Sequence, residues 1–93
     1  MDLGIIGLGR MGLSMSIRLV GDGHSVVGYD KDTVVAKNSI EYITNVASSI
    51  EELIDALPVP RIVWVMLPSG EPTENTFQQL IGILSESDII VDG

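Results

Sequence analysis

A short apolar run, Leu3-Gly4-Ile5-Ile6, leads straight into Gly7-Leu8-Gly9-Arg10-Met11-Gly12, and a helical pattern opens behind it. A second apolar run, Val26-Val27-Gly28-Tyr29, ends in a carboxylate at Asp30, eighteen residues beyond Gly12. That spacing is close to the about 20 residues of a dinucleotide-binding βαβ unit, in which the acid meets the adenosine ribose. Each glycine has a distinct physical task. Gly7 permits the tight turn out of the strand, Gly9 lets backbone approach a pyrophosphate, and Gly12 lets the helix lie close on the sheet. The pyrophosphate is expected on the free N–H groups and positive dipole end of the helix behind the turn. A lone G-x-G-x-x-G says little. Strand, turn, helix, second strand and terminal acid in this order say much more.

The rest of the chain supplies the same alternation. Met1 to Ile6 reads as a central strand, because its apolar residues run together. From Arg10 to Val20 the positions Met11, Leu13, Met15, Ile17, Leu19 and Val20 predict a helix buried on much of its surface, ended by Gly21-Asp22-Gly23. Ser25 to Tyr29 is the second strand, and Asp32 to Asn38 a short helix capped by Asp30 or Asp32. The segment Ile40 to Val46 is ambiguous and is read as a third strand around Tyr42-Ile43-Thr44. Ser49-Ile50-Glu51-Glu52 fits a capping box for a helix reaching about Leu57, before Pro58-Val59-Pro60 breaks it. Arg61 to Leu67 predicts a strand buried on both faces. Pro68 to Pro72 is a loop, Thr73 to Leu84 a helix with Phe77, Leu80, Ile81 and Leu84 on one stripe, and Ile89 to Val91 a fifth strand. These lengths imply right-handed crossovers and an α/β, doubly wound parallel sheet of the Rossmann type in the order 3-2-1-4-5. The strand at Ile89 is then at an edge, and the nucleotide-binding domain is expected to continue past Gly93.

Composition narrows the partners. Thirteen acids against five bases give a net charge of −8, which repels phosphate backbones and anionic membrane surfaces, so neither nucleic acid nor membrane is expected as a partner. The absence of cysteine excludes disulfides and thiolate metal sites. The start, Met1-Asp2-Leu3, lacks a basic leader region. The longest apolar run, Ile62 to Leu67, falls far short of the about 20 residues that span a bilayer. A cytoplasmic location is the expectation. His24 reads as a surface turn residue, and Trp64 and the methionines as packing. Ser14 and Ser69 have no local base, so nucleophilic catalysis has no support.

From Ile5 to Ser16 the run Ile-Ile-Gly-Leu-Gly-Arg-Met-Gly-Leu-Ser-Met-Ser closely resembles the β-hydroxyacid dehydrogenase superfamily, which includes 6-phosphogluconate and 3-hydroxyisobutyrate dehydrogenases. Trp64-Val65-Met66-Leu67-Pro68-Ser69-Gly70, with Thr73 beyond it, and the terminal Asp88-Ile89-Ile90-Val91-Asp92-Gly93 look most like the shorter bacterial type of 6-phosphogluconate dehydrogenase. The resemblance implies that residues 1–93 are the N-terminal part of an NAD(P)-binding domain. An all-helical C-terminal domain for substrate and dimerisation is then expected beyond them.

For cofactor binding the resemblance points to Gly7, Leu8, Gly9, Arg10, Met11 and Gly12 in the phosphate turn. It also points to Asp30, Lys31 and Asp32 after the second strand, and to Leu67, Pro68 and Ser69 beside the nicotinamide ribose. Many family members carry a lysine where Pro68 stands. Arg10 reads either as a pyrophosphate donor or as a solvated arginine at the helix start, and Asp30 either as the ribose acceptor or as a helix cap. The NADP-using branch tends to carry Asn-Arg-Thr where this chain has Asp30-Lys31-Asp32, which favours NAD over the alternative NADP. A carboxylate accepts from both ribose hydroxyls and repels a 2′-phosphate, while Lys31 partly offsets the repulsion.

The implied reaction is oxidative decarboxylation of 6-phosphogluconate to ribulose 5-phosphate, in a parent expected to be a homo-oligomer. Family members perform its acid–base work with a lysine and a glutamate beyond the equivalent of Gly93, so no catalytic residue is assigned in this chain. Two other readings stay open: a 3-hydroxyisobutyrate-type dehydrogenase, and a nucleotide-binding module without chemistry.

Overall fold

The structure, a computed structural model, describes residues 1–67 and 71–92, and for 71–73 the backbone alone. Nine elements alternate along the described residues: β1 (Asp2–Ile6), α1 (Arg10–Gly21), β2 (Ser25–Tyr29), α2 (Thr33–Ser39), β3 (Asn45–Val46), α3 (Ile50–Asp55), β4 (Ile62–Val65), α4 (Glu71–Ile83) and β5 (Ile89–Asp92). The five strands form one sheet in the order β3-β2-β1-β4-β5, and every pairing is parallel. This is the expected doubly wound topology.

Strand periodicity divides the core into two layers. Ile6, Val27, Val63 and Val65 join Leu53, Ile54, Leu57 and Leu80 on the α3–α4 side. Ile5 and Val26 point the other way and pack with Leu8 and Ile43, flanked by Leu13, Leu19, Val20 and Trp64. Because β1 is buried on both faces, its C-terminal end is fixed from above and below, and the glycine turn starts from a rigid point.

α1 meets the expectation of burial at Leu13, Leu19 and Val20 and departs from it at Met11 and Ile17. Gly12 and Ser16 are its fully buried residues and Leu13, Leu19 and Val20 pack half-buried against the core, while Met11 is 74% exposed and Ile17 also faces outward. At Gly12 the helix lies too close to the end of β1 for any side chain: a Cβ there would sit 1.9 Å from the Gly7 carbonyl oxygen. Ser16 is accommodated by donating its hydroxyl to Gly12 O at 2.7 Å. The helix ends as predicted. Gly23 takes φ +95°, its N–H donates to Val20 O, and His24 N–H donates to Leu19 O, the paired bonds of a glycine C-terminal cap. His24 is half-buried rather than a surface residue, and its Nδ1 has no partner among the described residues.

The third strand is displaced from the expected Tyr42-Ile43-Thr44 to Asn45–Val46. Ile43 is drawn into the core, and Thr44 Oγ1 accepts from Val26 N–H at 3.0 Å. Side chains therefore use that stretch, and backbone pairing with β2 begins only at Asn45. β4 is shorter than Arg61–Leu67 and half-buried at Ile62 and Trp64, though Met66 N–H still donates to Ile6 O at 2.7 Å. α4 begins at Glu71 rather than Thr73, and Ile81 leaves the predicted stripe for solvent. Asp32, not Asp30, caps α2 by accepting from Val34 and Val35 N–H. Ser49 caps α3 from Glu52 N–H, but the Glu52 carboxylate accepts from Ser48 rather than closing the capping box. At the opposite end of the sheet from the glycine turn, Asp88 ties β4 to β5. It accepts from Arg61 N–H at 2.6 Å, Ser85 N–H at 2.8 Å and Arg61 Nη1 at 3.1 Å.

Candidate functional site

The glycine turn bridges the C-terminal end of β1 and the start of α1. Gly7 adopts φ +98°, a left-handed conformation that disfavours any side chain. A Cβ there would also lie 2.6 Å from Met66 O. Its N–H donates to Tyr29 O at 2.8 Å, joining the turn to the end of β2. Gly9 is the N-cap of α1, at φ −67° and ψ −169°, with no side-chain hydrogen bond to the helix end. Nothing lies within 4 Å of a Cβ built on Gly9. The first intrahelical bond runs from Leu13 N–H to Gly9 O, so the earlier N–H groups have no helical acceptor. Two glycines are crowded by backbone and the one between them opens onto free space. That is the arrangement a pyrophosphate needs, and the residues present fit such a group.

Asp30 stands beside this turn. Its Oδ2 accepts from Leu8 N–H at 2.8 Å and its Oδ1 from Asp32 N–H at 2.9 Å. The Leu8 side chain, 1% exposed, belongs to the core, lodged above Gly28, where a Cβ would meet Leu8 Cδ2 at 2.9 Å and Ile43 Cδ1 at 2.7 Å. Leu8 therefore anchors the turn through its side chain and its N–H. A cavity of about 270 Å³ opens at this end of the sheet, lined by Gly7, Asp30, Lys31 and Leu67 and faced by Asn75, Thr76 and Gln79 of α4. Gln79 also donates to the Glu51 carboxylate of α3.

The structure thus brings together Gly7, Asp30, Lys31 and Leu67 of the residues expected from sequence, with Leu8, Gly9 and Gly12 shaping the turn. Arg10 and Met11 lie on the exposed face of α1, along a separate groove shared with Ser14, Met15 and Arg18. Asp32 is committed to capping α2. Pro68 and Ser69 lie outside the described residues. Sequence reasoning missed Tyr29 and Ile50, which also line the cavity, and the α4 residues. Thr76 and Gln79 had a faint signal, being one helical turn apart on the flank of the stripe formed by Phe77, Leu80 and Leu84.

The parallel order β3-β2-β1-β4-β5, with a glycine turn and an acid at the carboxyl ends of adjacent strands, defines a Rossmann-type dinucleotide-binding domain. The family described as the NAD binding domain of 6-phosphogluconate dehydrogenase matches residues 2–93, and the chain belongs to that family. Along its whole length it is 34% identical to an NAD(+)-dependent, decarboxylating 6-phosphogluconate dehydrogenase of Haloferax volcanii, and covers 31% of that protein. Among solved structures, Mycobacterium tuberculosis 3-hydroxyisobutyrate dehydrogenase is 28% identical with a TM-score of 0.86, over 98% of this chain and 30% of that one. Plasmodium falciparum 6-phosphogluconate dehydrogenase shares the fold at a TM-score of 0.91 and 24% identity, over 100% of this chain and 21% of that one. The chain therefore spans less than a third of the length of these relatives. Among the described residues, no helix is long and apolar enough to cross a membrane.

Proposed function

We propose that this chain is the cofactor-binding part of a 6-phosphogluconate dehydrogenase of the shorter bacterial type, and that it takes NAD in preference to NADP. The observation that carries the preference is the Asp30 carboxylate, held by two backbone N–H groups in the lining of the cavity. A fixed negative charge there accepts from ribose hydroxyls through its remaining lone pairs and disfavours a 2′-phosphate. The similarity to the NAD(+)-dependent enzyme of Haloferax volcanii supports the same choice. When bound, a nicotinamide dinucleotide would supply the hydride acceptor for oxidation of the substrate 3-hydroxyl in the whole protein. The role of these residues is to bind and orient: Gly9 leaves room for the pyrophosphate, the first turn of α1 offers N–H donors, and Leu67 borders the cavity after β4. The substrate and the acid–base residues belong to parts of the parent beyond this chain, and the parent is proposed to be a homo-oligomer.

Titration of the chain with NADH and NADPH tests the reading. NADH should bind at least several-fold more tightly. Equal affinities, or a preference for NADPH, would remove the assignment of Asp30 as the selector. The likeness to the Mycobacterium tuberculosis enzyme supports a second reading, a 3-hydroxyisobutyrate-type dehydrogenase. An assay of the full-length parent on both acids separates the two.

A further inference from the structure

We infer that Asp30 is a positioning residue for the glycine turn: it fixes the N–H groups that receive a pyrophosphate, in addition to any contact with a ribose. The inference rests on the dinucleotide reading above. Three anchors tie the start of the turn to β2. Gly7 N–H donates to Tyr29 O at 2.8 Å, the Leu8 side chain fills the space over Gly28, and Asp30 Oδ2 accepts from Leu8 N–H across 22 residues of sequence. Oδ1 of the same carboxylate accepts from Asp32 N–H, so the carboxylate is itself held at both oxygens. The turn leaves the sheet only at Gly9, which has no side chain, no neighbour within 4 Å of a built Cβ, and no capping bond. Gly9 is held on the helix side by its carbonyl, which accepts from Leu13 N–H, so the freedom of its N–H side must be removed by what precedes it. Asp30 is the side chain that does so by a polar bond.

A carboxylate suits this double task because it only accepts and has about four lone-pair sites on its two oxygens. Asparagine offers one acceptor oxygen and an NH₂ group, so either Leu8 N–H or Asp32 N–H would then face a donor. Charge and geometry predict opposite outcomes for Asp30→Asn. Removing a negative charge near a phosphate-bearing ligand strengthens its binding, whereas releasing the turn weakens it. Weaker binding therefore reports geometry.

The test uses the 93-residue chain and two probes, ADP and 2′,3′-dideoxy-ADP. The second carries adenine and pyrophosphate but no ribose hydroxyls for Asp30 to accept from. By calorimetry, Asp30→Asn should weaken the dideoxy compound by about tenfold, the scale of one lost hydrogen bond to a charged group. Amide exchange should show Leu8 about tenfold faster in the variant, with Ile5 and Val26 unchanged, which separates a released turn from a weakened fold. In the unmodified chain, scalar coupling across the Leu8 N–H to Asp30 hydrogen bond should be measurable, so the bond is tested even where the variant folds poorly. Unaltered or tighter binding of the dideoxy compound by the variant, or absence of the coupling, overturns the positioning role alone. Failure of the unmodified chain to bind ADP overturns the dinucleotide reading, and this inference with it.

Discussion

Gly9 and Gly12 occupy the same motif and should respond to the same substitution in opposite ways. A methyl group at Gly12 would be 1.9 Å from the carbonyl oxygen of Gly7. The obstacle is backbone, so α1 must retreat from the Gly7 carbonyl by about 1.5 Å for a normal contact of 3.4 Å to be restored. Overpacking of this kind costs about 1–3 kcal/mol, and a clash with a fixed carbonyl belongs at or above the upper end. Alanine in a helix returns about 1 kcal/mol relative to glycine, which leaves a net loss of about 2 kcal/mol or more for Gly12→Ala. In a domain of this size that lowers Tm by about 10 °C. At Gly9 the methyl group meets nothing within 4 Å, and φ is −67°. Loss of a favoured N-cap residue costs up to about 1 kcal/mol, and restriction of the unfolded chain returns about 0.4–1 kcal/mol. Gly9→Ala should therefore stay within about 1 kcal/mol of the unmodified chain, yet bind NADH markedly more weakly, and Gly9→Val more weakly still. Denaturant unfolding followed by calorimetric titration measures both quantities. If Gly9→Ala is as unstable as Gly12→Ala, or binds NADH with unchanged affinity, the division of labour within the turn is wrong.

Other outcomes follow from the same geometry. Leu8→Ala should destabilise by about 2–4 kcal/mol, because a fully buried leucine is emptied from the core; a loss below about 1 kcal/mol in urea unfolding would show that its packing is unimportant. The N–H of Arg61 holds the Asp88 carboxyl below its usual range, aided by Ser85 N–H and the Arg61 guanidinium against the opposing effect of burial. The stability this group contributes is present above the unfolded carboxylate value of about 3.9 and is lost as pH falls through the lower folded value. The gap between the unmodified chain and Asp88→Asn should be constant near neutrality and shrink below about pH 4, so a gap that persists to about pH 2 argues against it. Ile89, 53% exposed on a strand that among the described residues pairs only with β4, should promote self-association at high concentration. Sedimentation should show Ile89→Lys to be more monomeric, and identical behaviour of the two would indicate a guarded edge.

The order of the strands was legible from the sequence because its signals are local and redundant. Gly7, Gly9 and Gly12 mark the turn, the continuous apolar strands mark a sheet buried on both faces, and right-handed crossovers leave few topologies. Less was legible where one residue could serve two purposes. Asp30 and Asp32 were both plausible caps for α2, and only their distances assign the cap to Asp32 and the link to Leu8. Ile43 and Thr44 have strand-like chemistry but are used for packing and for capping the Val26 N–H, which moves β3 along the chain. On α1 the apolar residues were legible, but the identity of the buried face was not. It is set by the closeness of Gly12 to Gly7 O, a distance no periodicity encodes. Likewise Asn75 and Gln79 share the cavity with Gly7, Asp30 and Leu67, a meeting of distant segments that helical periodicity does not encode.

The most direct measurement of the central claim is an amide map of the 93-residue chain titrated with NADH. The account predicts the largest shifts at Gly7 to Gly12 and at Asp30 and Lys31, with small changes around Arg61 and Asp88 at the far end of the sheet. Saturating NADH that leaves the amides of Gly7 to Gly12 unmoved would contradict it.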